Sequence, residues 1–164
     1  MDGNGRVGRL IIALQLIDKG ILGYPTLYLS TFFEKNKGSY YDSLTTVRFS
    51  NNIEQWIKFF LTGVIETAKN SKGTFEKIID LRQRYDAKIV TLGYKAKAAR
   101  ELLIHLFSNP TMDAKKVMNK LNITYNTANK LLEELERIGI LKEITGFSRN
   151  RLFTLHEYLD LFKN

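Results

Sequence analysis

The chain has no cysteine, and Pro25 and Pro110 are its only prolines in 164 residues. Without cysteine it forms neither disulfides nor zinc–thiolate sites, which fits a reducing, cytoplasmic setting. Proline this scarce suits a mostly helical protein, because proline removes a backbone donor and breaks helix interiors. No apolar run approaches the length needed to cross a bilayer and no cleavable leader is visible, so no membrane partner is expected. The two histidines, His105 and His156, are isolated and have no partner at metal-ligand spacing. No Ser-His-Asp set and no paired-carboxylate constellation stands out.

What is present is core-forming material and positive charge. Hydrophobic residues make up 44% of the chain and charged ones 26%, enough for one compact domain or two small ones. The net charge of +8 points to an anionic partner, but it is spread out. Residues 95–164 carry the largest share, with 12 basic against 8 acidic side chains. That distribution permits nucleic acid without requiring it.

The first residues spell Asp2-Gly3-Asn4-Gly5-Arg6-Val7-Gly8-Arg9. Two glycines around Asn4 predict a tight loop, and Val7, Leu10, Ile11, Leu14 and Ile17 then recur at helical spacing until Gly20. A loop feeding a helix start aims unpaired N–H groups at one point, where the helix dipole also favours an anion. Arg6 and Arg9, three apart, can fork onto phosphate oxygens, and Asp2 can reach a Mg²⁺ bridging them. The stretch therefore reads as a polyphosphate cradle. A bland reading stays open: a glycine turn ahead of a core helix, with two solvated arginines. The dinucleotide fingerprint formed by Gly3, Gly5 and Gly8 needs a buried strand before it, where the sequence has two residues.

Residues 2–9 resemble the signature H-x-F-x-[D/E]-G-N-G-R-x-x-R of the Fic family of protein AMP-transferases, matching it completely from Asp2 to Arg9. The resemblance implies that Gly3, Asn4 and Gly5 form an anion hole, Arg6 and Arg9 hold the phosphates, and Asp2 holds Mg²⁺. ATP and Mg²⁺ are then the cofactors, and a protein hydroxyl accepts the AMP. The histidine of the signature falls ahead of Met1, so no catalytic residue is assigned. The expectation is the C-terminal part of a Fic-type core, inactive by itself.

Further along, a second helix is expected over about Thr26 to Lys37, ended by Gly38, and a third from about Ser39. A fourth is expected over about Ile53 to Ala68, with Trp56, Ile57, Phe60, Leu61, Val64 and Ile65 in register. Asn70-Ser71-Lys72-Gly73 predicts a break, and Thr74 to Tyr85 a connector helix. The expected organisation is a Fic-type core piece over 1–70, a connector and linker over 71–94, and a second domain over 95–164. Because part of the Fic-type core is not in the chain, the helices of 1–70 are expected to lack packing surface.

The last seventy residues are patterned more sharply. A helix from Lys97 ends at Ser108-Asn109-Pro110, and a short one spans about Asp113 to Leu121. Thr124 then caps a third, whose Ala128, Leu131, Leu132, Leu135 and Ile138 face inward. Apolar runs at Ile140–Ile144 and Leu152–Leu155 predict a hairpin with a basic tip, and a short helix follows. Three helices and a hairpin make a winged helix-turn-helix, similar to the tail that many bacterial Fic proteins carry. The fold expectation is thus mainly α, with a small hairpin.

In that fold Tyr125, Asn126, Asn129 and Lys130 open the recognition helix. The two asparagines can pair with adenine edges, while Lys130, Arg149 and Arg151 can meet phosphates. Glu133, Glu134 and Glu136 would repel the backbone further along the helix. Duplex DNA is one expected partner. The alternative to the AMP-transferase reading is a non-enzymatic DNA-binding regulator, and the third reading is a module for protein contact or homo-oligomer formation.

Overall fold

The computed structural model describes residues 4–22 and 29–163, with the side chains of residues 4–6 and 9 outside the description. Among the described residues the chain is mainly helical, with one small antiparallel sheet. It divides into two compact units, Met1–Gly73 and Thr74–Asn164.

The first unit contains α1 (Asn4–Asp18), α2 (Leu29–Lys35), α3 (Lys37–Ser50) and the beginning of α4 (Ile53–Val90). Leu29, Phe32 and Phe33 form its buried centre, and Ile12, Tyr40, Trp56, Phe59, Phe60 and Val64 pack around them. The Phe33 ring stacks with Phe59 at 5.9 Å and with Trp56 at 6.3 Å. Gly63 lets α2 approach: a Cβ there would lie 2.5 Å from Phe32 Cδ1. The opposite faces stay open. Val7, Leu10, Ile11 and Leu14 on α1 are exposed, as are Ile53, Ile57, Leu61 and Ile65 along α4.

Three expectations for this half need correction. Asn4 and Gly5 are helical residues of α1 and not part of a loop ahead of it. Gly38 does not end a helix: the chain breaks at Asn36 and Gly38 sits inside α3. The expected break at residues 70–73 is absent, because α4 runs unbroken for 38 residues. One glycine costs a helix only about 1 kcal/mol. The apolar period meanwhile continues through Phe75, Ile78 and Ile79. The helix expected over Thr74 to Tyr85 is part of α4, which continues through residues 86–90 of the stretch read as linker.

In the second unit Leu81, Tyr85 and Ile89, spaced one turn apart on α4, are buried in the main core. A 3₁₀ turn (Gly93–Lys95) leads into α5 (Ala96–Ser108), which buries Ala99, Leu102, Leu103 and Leu106. Then come β1 (Thr111–Met112), α6 (Ala114–Leu121), α7 (Tyr125–Arg137), β2 (Lys142–Glu143), β3 (Phe153–Thr154) and α8 (His156–Asp160). The sheet order is β1-β3-β2, with Met112 opposite Phe153 and Glu143 opposite Phe153 on the other side. β1 was not expected, since two residues cannot display an alternation. It is held by the Thr111 and Thr154 hydroxyls at 3.1 Å and by Leu155 N–H donating to the Pro110 carbonyl at 2.8 Å. No helix among the described residues is long and apolar enough to cross a membrane.

Candidate nucleic-acid interface

The short helix α6 is anchored by Asp113, whose carboxylate accepts from the Lys116 N–H at 2.7 Å. Asn122 adopts a left-handed conformation, φ 51°, and turns the chain toward α7. Thr124 accepts from the Thr127 N–H at 3.3 Å and caps α7 as its sequence position predicts. Ala128, Leu131, Leu132 and Leu135 seat the helix in the core. At its far end Lys88 Nζ donates to the Gly139 carbonyl at 3.2 Å, placing a cation where the helix dipole is negative.

Fixing that apolar face leaves the other face outward. Tyr125, Asn126 and Lys130 are exposed, Asn129 is half-buried, and Glu133 follows one turn later. Beside this face runs the β2–β3 loop, closed by Ile144 N–H donating to the Leu152 carbonyl at 3.0 Å. Its first turn is organised by one carboxylate. Glu143 accepts from the Thr145 N–H at 2.7 Å, from the Gly146 N–H at 2.9 Å and from the Thr145 hydroxyl. The Thr145 bonds hold the Glu143 carboxyl below the usual carboxylate range. Helix and loop together enclose an open cleft of 460 Å³, walled by Tyr125, Asn129 and Glu133 on α7 and by residues 147–151 of the loop.

The residues singled out in the sequence divide into three groups. Tyr125, Asn126, Lys130 and Arg149 are exposed, and the last three have no side-chain partner among the described residues. Asn129 and Arg151 are already engaged: Asn129 Nδ2 donates to Glu133 Oε1 at 2.9 Å, and Arg151 pairs with the same oxygen. The guanidinium of Arg151 also lies over the Phe153 ring, 5.0 Å from its centre, and its side chain is 26% exposed. Arg151 is thus not the free cation at a loop tip that the hairpin pattern implied. The third group falls outside: Asp2 and Gly3 are not among the described residues. Of Asn4, Gly5, Arg6 and Arg9 only the helical backbone is described.

The three glutamates of α7 also separate. Glu134 is matched by Lys95 at 3.1 Å and Arg137 at 2.6 Å, which keep its carboxyl below the usual range. Glu136 accepts from the Glu143 N–H at 3.1 Å and fastens β2 to the helix. Only Glu133 remains on the outward face. Phe147, exposed at the loop, is a further wall of the cleft that sequence reasoning missed. Nothing in the pattern of Thr145 to Arg151 distinguished it from an ordinary turn residue. Among the described residues no group of three or more His, Cys, Asp or Glu is placed to hold a metal. His156 begins α8 with its Nδ1 buried and unpartnered, and His105 lies on α5. No known protein-family model matches the chain.

Proposed function

We propose that Thr74–Asn164 is a winged helix-turn-helix that binds duplex DNA, with α7 as the helix that enters the major groove and the β2–β3 loop as the wing. One observation carries the reading. The first two turns of α7 present Tyr125, Asn126 and Lys130 outward, and Tyr125 shares a cleft with Arg149, while the apolar side of the same helix is locked in the core. Asn126 has both amide groups available for an adenine edge, and Lys130 and Arg149 are free to meet phosphates. Neutralisation of Glu134 and diversion of Glu136 remove much of the repulsion that the sequence implied.

A salt-titrated binding assay on selected and random-sequence duplexes tests this. Arg149→Ala should weaken binding to every sequence and flatten the log K against log salt slope by about 0.9. Asn126→Ala should cost about 1–3 kcal/mol on the selected duplex and leave random sequence unchanged. Absence of binding at low salt would transfer the surface to the protein-contact reading.

For residues 2–9 the Fic-type resemblance supports a second proposal, an ATP–Mg²⁺ cradle belonging to an AMP-transferase core. The helical backbone puts the Arg6 and Arg9 positions three residues apart on α1, so both can approach one phosphate chain. The uncovered stripe Val7, Leu10, Ile11 and Leu14 supports membership in a larger helical core. ATP titration with and without Mg²⁺ tests it: Arg6→Ala should weaken nucleotide binding, and an unchanged affinity would count against the cradle.

A further inference from the structure

Glu133 occupies a position that a DNA-contacting helix has reason to avoid. It lies eight residues after Tyr125 and four after Asn129, so it shares their outward face and comes within reach of the groove they would enter. Its side chain is 46% exposed, and it borders the cleft between α7 and the wing. One of its oxygens accepts from Asn129 and pairs with Arg151. Arg151 belongs to the wing, so the ion pair crosses the cleft. Packing over Phe153 keeps the guanidinium there. We infer that Glu133 is a selectivity-setting residue: it holds Arg151 away from phosphates and thereby weakens sequence-independent binding to DNA. The inference rests on the DNA-binding reading of this surface.

A carboxylate and a phosphate compete for the same guanidinium. An arginine on a wing adds one phosphate contact to any duplex, whatever its sequence. Here that contact requires Arg151 to exchange a carboxylate for a phosphate, and the released carboxylate then faces the polyanion. Neither cost falls on Lys130 or Arg149, which have no acidic partner among the described residues. The surface therefore carries fewer working cations than its sequence displays, and base contacts must supply the remainder of the affinity. Glu133→Gln removes the charge while keeping an oxygen that can accept from Asn129 and Arg151, so the wing retains its support.

The test uses the full chain and a random-sequence duplex, with binding measured between 20 mM and 200 mM salt as about the accessible range. A slope of about 0.9 per phosphate contact corresponds to roughly an eightfold gain at 0.1 M salt for one added contact. Glu133→Gln should tighten binding by about that factor and steepen the slope by about one. Arg151→Ala in the parent chain should leave the slope unchanged and, by baring the Glu133 carboxylate, should not tighten binding, and it should cancel the gain in the Glu133→Gln background. A thermal transition shared by all four proteins excludes loss of fold as the cause of any difference. If the parent binds and Glu133→Gln leaves affinity and slope unchanged, the selectivity role fails while the DNA reading stands. If Arg151→Ala alone flattens the slope, Arg151 already contacts phosphate and the role fails as well. If neither parent nor variant binds at the lowest salt, the DNA reading falls and takes this inference with it.

Discussion

Alanine at Gly63 and alanine at Gly73 make opposite demands on the same helix. Both substitutions remove backbone freedom from the unfolded chain and raise helix propensity, which by itself stabilises α4 by about 1 kcal/mol. Around Gly73 there is open space, so Gly73→Ala should keep that gain. At Gly63 the new methyl would lie 2.5 Å from Phe32 Cδ1 and 2.7 Å from Cε1. The Phe32 ring cannot swing clear, because Phe59 stands 5.3 Å away and Phe33 6.0 Å away. Overpacking of that kind costs about 1–3 kcal/mol, so Gly63→Ala should come out neutral to about 2 kcal/mol destabilising. Trp56 is the only tryptophan and touches this cluster, so its fluorescence reports the unit concerned. Urea titration followed at Trp56 should place Gly73→Ala above the parent and Gly63→Ala at or below it, about 1–3 kcal/mol apart. An equal rise for both would show that Phe32 yields without cost. A fall for Gly73→Ala would show that residues 70–73 are not helical.

Three further outcomes follow from the second unit. Tyr85 is fully buried with an unpartnered hydroxyl, and burial, reinforced by Glu157, lifts its phenol well above the usual tyrosine range. The neutral phenol is therefore favoured by folding, and its contribution is complete below the unfolded pKa of about 10 and is lost as pH rises above it. Tyr85→Phe should raise stability by about 1 kcal/mol at neutral pH and reduce the alkaline fall, and a thermal scan from neutral to alkaline pH that finds the opposite sign would refute this. Glu143 has a lowered pKa, so its support of the β2–β3 turn is present above the unfolded carboxyl value and fades as pH falls through the folded one. Glu143→Ala should speed hydrogen exchange at the Thr145 and Gly146 amides while leaving the Trp56 transition in place. Thr124→Ala removes the cap on α7 and should lower stability by about 1 kcal/mol in a denaturant titration followed by far-ultraviolet dichroism.

The legible parts of this fold are those where local chemistry and packing agree. Thr124 followed by Ala128, Leu131, Leu132 and Leu135 states a cap and a buried stripe together, and α7 has both. The two runs around Thr145–Arg151 likewise predicted β2 and β3. What escaped had two causes, glycines that a helix simply carries through and a strand built by distant partners. Gly38 and Gly73 look like stop signals, but each lies within a helix and has nothing within 4 Å of where its Cβ would be. β1 exists only because Thr154 and Leu155 arrive from more than forty residues away. In the candidate site, helical spacing found the exposed face of α7 but could not disclose that Arg151 of the β2–β3 loop crosses to Glu133. The resemblance carried by Asp2 to Arg9 depends on residues mostly outside the described side chains.

The strand order has a consequence for how the second unit comes into being. β3 lies between β1 and β2, yet it is made after both. During synthesis, at roughly 5–20 residues per second, α5, α6 and α7 emerge first and can associate through contacts close in sequence. Until residues 153–154 leave the ribosome, β1 and β2 both present bare edges with nothing between them. Phe153, the residue that faces Met112 on one side and Glu143 on the other, is also fully buried. Its arrival therefore joins sheet closure and core completion in one late event. A chain cut off after residue 150 would leave the Met112 and Glu143 edges unpaired and the core without Phe153 and Leu155.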